Sequence, residues 1–132
     1  MRVFFDTNVL ASALATRGLC AELFEVVLQS HELITSVHVL HELQRILPEK
    51  LGQSKELTQG FIALLREHTL LVAAKAPYPS LPDPDDEPIV AAAIAGQAAV
   101  FVTGDKALLQ LQKIGHLPLV DPRQFWELLA RK

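Results

Sequence analysis

Arg2-Val3-Phe4-Phe5-Asp6-Thr7-Asn8-Val9-Leu10 reads as a strand that runs straight into a helix. Val3, Phe4 and Phe5 are β-formers, and the run stops at Asp6. Thr7 and Asn8 can cap a short helix reaching Ala15, before Gly18 interrupts the pattern. An acid at the carboxyl end of a strand, with a helix starting behind it, is the arrangement that places polar chemistry at one edge of an α/β sheet.

The same alternation continues outward. A helix over about Cys20–Gln29 carries Leu23, Phe24, Val27 and Leu28 on one face, and Glu32–Thr35 forms a second strand. Ser36 caps a helix expected to run to Leu47 and stop before Pro48. Ser54 caps another, to about Glu67, and Thr69–Val72 is a third strand. The stretch Ala76–Pro88 holds five of the eight prolines and reads as a loop within the domain. Ile89–Ala95 is apolar on every side and ends at Gly96, as a buried helix would. Ala99–Thr103 is a strand, Lys106–Leu111 a short helix and Leu117–Val120 a last strand. Asp121, Pro122 and Gln124 then open a capped terminal helix. The expected fold is a three-layer α/β/α sandwich around a parallel sheet of about five strands, built as a single domain over residues 1–132.

Composition limits the function classes. Half the 132 residues are apolar and a fifth charged, which excludes a disordered chain. The single cysteine, Cys20, excludes an intrachain disulfide and any Cys-based zinc site. Asp6 and Asn8 cut the N-terminal apolar run before a secretory signal develops, and Ile89–Ala95 is too short to span a bilayer. A cytoplasmic protein with no membrane attachment is expected. The net charge of −3 is unusual for a nucleic-acid binder. Setting four of the fifteen acids aside in a metal site leaves eleven against twelve Lys and Arg, about +1.

Those four acids are Asp6, Glu42, Asp86 and Asp105. Asp6 and Asp105 each follow a strand, and Asp86 opens the apolar helix. On the Ser36–Leu47 helix, Glu42 falls roughly 40° beyond the edge of the stripe made by Val39, Leu40, Leu43, Ile46 and Leu47, so it borders the core. Taken singly, the three aspartates could be helix caps, and Glu42 could pair with His38 or Arg45. Taken together they point to one sheet edge. Clustered carboxylates raise one another's pKa values unless a cation compensates, and oxygen-only ligands suit Mg²⁺ or Mn²⁺. Such an ion supports in-line attack at a phosphodiester.

The sequence resembles the PIN-domain nucleases along essentially its whole length. Asp6-Thr7-Asn8-Val9-Leu10 after the first strand, Leu40-His41-Glu42-Leu43, Asp86 before Ile89-Val90-Ala91-Ala92-Ala93, and Thr103-Gly104-Asp105 carry the resemblance. It implies a Mg²⁺- or Mn²⁺-dependent endoribonuclease acting on single-stranded RNA, with Asp6, Glu42, Asp86 and Asp105 as metal ligands. Asn8 and Thr103 would be polar partners to those ligands or to the attacking water. Small members of this kind are often VapC-like toxins of toxin–antitoxin pairs, so an antitoxin and a homodimeric mate are implied partners. Asp83, Asp85, Asp86 and Glu87 crowd the third acidic position; Asp86 has the best spacing and Asp85 is the alternative. The Asp-Glu-Pro that starts the next segment departs from the Asp-Ala of many single-gene toxins.

Other constellations in the sequence have competing readings. Arg45 and Lys106 could contact phosphate near the site, or be solvated charges. His41-Glu42 begins a zinc-protease motif, but Arg45 occupies the second histidine position. His38 and His41 have the spacing of a zinc pair and equally that of surface histidines. Phe125, Trp126 and Leu129 suit a core or a dimer face. A degenerate PIN-like domain that only binds RNA or protein is one alternative function. A haloacid-dehalogenase-like phosphatase is another, although it requires a second Asp where Asn8 stands.

Overall fold

Val3, Phe4 and Phe5 are all fully buried, although successive residues of a strand face opposite sides of its sheet. The first strand, β1 (Arg2–Phe5), is therefore covered on both faces. The same holds for β2 (Glu32–Ser36) and β4 (Val100–Val102), whose interior positions are buried without alternation. Between and after them come β3 (Leu70–Val72), β5 (Lys113–Ile114) and β6 (Leu117–Val120). The computed structural model describes residues 1–131, and places these strands in one sheet of order β3-β2-β1-β4-β6-β5. All neighbours are parallel except β5, which runs antiparallel to β6.

Helices α1 (Thr7–Ala15), α2 (Leu19–Ser30), α3 (Val37–Glu49), α4 (Lys55–His68), α5 (Glu87–Ala95), α6 (Lys106–Leu109) and α7 (Pro122–Ala130) cover the sheet. Aromatic pairs tie strand to strand and sheet to helix. Phe4 stacks on its β4 register partner Phe101 with centroids 5.3 Å apart. On the other face Phe5 meets Phe125 of α7 edge-on at 5.9 Å. Trp126, beside it, is 41% exposed. No described helix is long and apolar enough to cross a membrane.

Several elements differ from expectation; α6, for one, ends at Leu109 and not at Leu111. α3 continues through Pro48, which has no N–H to give the preceding turn. The break is tolerated because one residue remains, and Lys50 and Leu51 close the end by donating to the Ile46 carbonyl at 2.9 and 3.2 Å. The proline-rich loop is not irregular to its end: Pro84–Asp86 forms a 3₁₀ turn that leads directly into α5, with Pro88 in that helix's first turn. β5 is a sixth strand absent from the sequence reading. It forms a tight hairpin through Gly115, whose φ of 60° a glycine adopts without strain.

The topology positions a cleft. From β1 the chain proceeds outward through β2 and β3, then returns to lay β4 on the opposite side of β1. The loops leaving β1 and β4 thus diverge, and an open α/β sheet has its crevice at such a switch of direction, beyond the carboxyl ends of the strands.

Candidate active site

At that crevice lies a cleft of about 420 Å³, and Asp6, Glu42, Asp86 and Asp105 all line it. Four separate segments deliver them: the β1–α1 junction, the middle of α3, the end of the 3₁₀ turn and the β4–α6 junction.

Asp6 is the N-cap of α1 and is only 5% exposed. Its backbone N–H continues the sheet by donating to the Val102 carbonyl. Its carboxylate accepts from the Thr7 N–H at 2.8 Å on Oδ1, and from the Thr103 hydroxyl at 2.7 Å and Asn8 Nδ2 at 3.3 Å on Oδ2. Thr103 Oγ1 in turn accepts from the Asp105 N–H at 3.0 Å, and Asn8 Oδ1 accepts from the Gly104 N–H at 3.1 Å. The two strand-end loops are thereby tied to each other through Thr103 and Asn8. Thr7, expected as a cap, is instead the first residue of the helix. Its hydroxyl donates to Glu42 Oε1 at 2.5 Å and ties α1 to α3.

Glu42 is partly buried at the margin of the α3 stripe, as its angular position implies. Asp105 caps α6 through Oδ1, which accepts from the Ala107 and Leu108 N–H groups. Asp86 precedes α5 but makes no side-chain capping bond. Its acidic neighbours are differently engaged: Asp83 accepts from the Asp85 N–H and Glu87 from the Leu81 N–H. Asp85 is exposed and does not line the cleft.

The electrostatics follow from this crowding. Burial pushes the Asp6 carboxyl up to about 6, aided by the Glu42 and Asp105 charges and opposed by the bonds from Thr103 and Thr7. Asp86 is pushed up to about 7, first by burial and then by Asp6, Asp105, Asp83 and Glu42. Asp6, Glu42 and Asp105 thus each raise the pKa of another acid of the cluster.

As the side chains stand, no three of the described His, Cys, Asp and Glu residues form a group that could hold a metal ion. Several of their oxygens are instead engaged by hydrogen bonds. A Mg²⁺ ion is usually held by only one or two carboxylates, with waters and substrate oxygens completing its octahedron. The donor set, oxygen throughout and destabilised by its own charge, fits that mode of binding.

Arg45 and Lys106 are exposed and neither lines the cleft. Lys50 does, beyond the end of α3, beside Leu51. Nothing in the sequence distinguished Lys50 from other surface lysines, because its place depends on α3 passing through Pro48. Thr7 could have been noticed, since it stands inside the Asp-Thr-Asn motif.

The chain belongs to the PIN domain family, whose model matches residues 2–107. Among solved structures it is similar to VapBC2 from Rickettsia felis, determined bound to a DNA fragment from its promoter. That match has 19% identity and a TM-score of 0.67, covering 92% of this chain and 98% of the other. It is also similar to VapBC-1 from nontypeable Haemophilus influenzae, at 21% identity and a TM-score of 0.64, covering 93% and 99%. No curated protein sequence matches significantly.

Proposed function

We propose that the protein is a Mg²⁺- or Mn²⁺-dependent endoribonuclease that cleaves single-stranded RNA at this cleft, and the toxin of a toxin–antitoxin pair. The observation that carries the reading is the convergence of four acids, from four separate segments, on one cleft at the switch point of the sheet. Family membership and the fold shared with the two VapBC proteins support it.

Asp6, Glu42, Asp86 and Asp105 are the residues that would hold the ion. Bound there, a divalent cation neutralises charge at the scissile phosphodiester and lowers the pKa of water. The chain supplies orientation. Thr103, Asn8 and the Thr7 amide hold Asp6 by both oxygens, and Thr7 Oγ1 holds Glu42. Lys50 offers a positive charge along the same cleft for a neighbouring phosphate. A bound cation would relieve the repulsion that, together with burial, keeps Asp6 and Asp86 difficult to ionise.

The test is incubation of purified protein with end-labelled single-stranded RNA in Mg²⁺, Mn²⁺ or EDTA. Expected are fragments with 5′-phosphate and 3′-hydroxyl ends in either metal, and none in EDTA or with Asp6→Asn. Absence of metal-dependent cleavage, or equal cleavage by Asp6→Asn, overturns the reading. The partner proposal predicts a short antitoxin-like reading frame beside the gene, whose product co-purifies with this chain and suppresses cleavage.

A further inference from the structure

A second cleft, also of about 420 Å³, opens beside the acidic one. Its walls include His38 and His41 of α3, Tyr78 of the proline-rich loop, Val72 at the end of β3, and Pro88 and Ala92 of α5. The two clefts share their dividing walls. On α3, His41 lines the second cleft while the next residue, Glu42, lines the first; at the start of α5, Pro88 lines the second and Asp86 the first. His41 and Glu42 are neighbours on α3, and Asp86 and Pro88 are two residues apart, so the two clefts adjoin along α3 and the start of α5 and a polymer bound in one can extend into the other.

The chemistry of the two spaces differs sharply. The first holds four acids and a lysine; among the described residues, the second is lined by no Asp, Glu, Lys or Arg. It offers instead a phenol, two imidazoles and aliphatic surface. Tyr78 is 48% exposed, and neither it nor His38 nor His41 hydrogen-bonds to a described residue. A site with flat rings, free hydrogen-bonding edges and no charged wall suits a neutral, planar heterocycle better than a phosphate or a metal ion. Unpaired nucleobases are recognised in this way, by stacking on aromatic and imidazole rings with hydrogen bonds to their edges.

We propose that this second cleft is a subsite for one unpaired nucleobase flanking the scissile phosphate, stacked on Tyr78 and contacted at its edge by His38 and His41. The inference rests on the ribonuclease reading for the identity of the polymer. It adds a specificity element that lies outside the acidic cluster.

Two readouts separate the subsite from the nuclease reading. The first is the affinity of Asp6→Asn protein for a fluorescein-labelled single-stranded RNA of about a dozen mixed nucleotides in Mg²⁺, with and without Tyr78→Ala, His41→Ala or Tyr78→Phe added. Tyr78→Ala and His41→Ala are expected to weaken binding about tenfold, and Tyr78→Phe, which keeps the ring, to stay within about twofold. The second is steady-state cleavage by the same three variants in the otherwise wild-type chain. There the losses should fall on KM and not on kcat. Unfolding curves matching the parent establish that the half-exposed side chains were removed without loss of fold. Equal RNA affinity in all variants, or a loss confined to kcat, overturns the subsite. Loss of affinity in Tyr78→Ala when the wild-type chain cleaves nothing retains the subsite and rejects the nuclease. Cleavage with an unchanged KM in Tyr78→Ala does the reverse, and failure of every form to bind RNA rejects both.

Discussion

At Asp6 a single carboxylate lies under opposing demands. The fold buries it at the end of a central strand and surrounds it with other acids, so its charged form is costly without a cation. Its folded pKa of about 6, and that of about 7 for Asp86, lie above the unfolded value of 3.8. Between roughly pH 4 and 7 the native state therefore binds more protons than the unfolded chain, and stability falls as pH rises through that window. Asp6→Asn removes one of these charges. In EDTA its melting temperature should match that of the wild type near pH 4, exceed it increasingly up to about pH 6–7 and keep a constant lead above that, whereas saturating Mg²⁺ should narrow the gap. A gap independent of pH would contradict the assignment. Thr103→Val tests the support instead of the ligand. It deprives Asp6 Oδ2 of a hydroxyl donor and the Asp105 N–H of its acceptor. A loss of about 1–3 kcal/mol in urea unfolding is expected, together with a ten- to hundredfold fall in cleavage. Cleavage within twofold of wild type would remove Thr103 from the site.

The elements show which physical signals reach the surface of a sequence. β1, β4 and α5 were legible because burial on both sides leaves uninterrupted apolar runs. α3 was legible from its stripe, and so was the placement of Glu42 at its margin. Its C-terminus was not, because a proline near a helix end costs little when the following N–H groups can still reach back. β5 has two residues and no pattern to detect; it exists because Gly115 lets the chain turn back onto β6. Nor does any periodicity announce how closely α5 approaches the sheet. At Gly96 an added Cβ would stand 3.1 Å from Val72 Cγ1 and 3.2 Å from Ile34 Cγ2, with the Ala92 carbonyl at 3.3 Å. The backbone there is ordinary, with φ of −80°, so only space is at issue. Gly96→Val should lower stability by about 1–3 kcal/mol through overpacking, measured by urea unfolding. An unchanged midpoint would mean that the end of α5 can move away from β2 and β3.

For the whole molecule, order of strands explains why the site was partly readable. Asp6, Asp105 and Asp86 stand at element junctions, which a sequence marks, and the switch of strand direction brings those junctions together. Lys50 belongs to the same cleft through the packing of α1 against α3, which is set in three dimensions and leaves no local trace; Thr7 meets Glu42 through the same packing, but the Asp-Thr-Asn motif does mark its position. The charge balance is also a property of the whole. A chain of net charge −3 has little long-range attraction for RNA, so binding should depend on a divalent cation and only weakly on salt. Lys50→Ala should weaken RNA binding across sequences and reduce the salt slope by about 0.7, the share of one phosphate contact on a single strand. An unchanged slope would place Lys50 away from the RNA backbone.

The bond from Thr103 to Asp6 joins residues 97 positions apart. A ribosome makes β1 before β4, and so delivers Asp6 well before its partners Val102, at the end of β4, and Thr103, just after it. Until β4 emerges, one edge of β1 has no neighbour, Asp6 lacks the Thr103 hydroxyl, and the cleft has no wall on that side. A nascent or prematurely ended chain thus carries three of the four acids without the pocket that would gather them. The fold itself delays the finished site until β4 and the loop after it have been made, so under the proposed ribonuclease function a chain interrupted before that point would be harmless to the message being read.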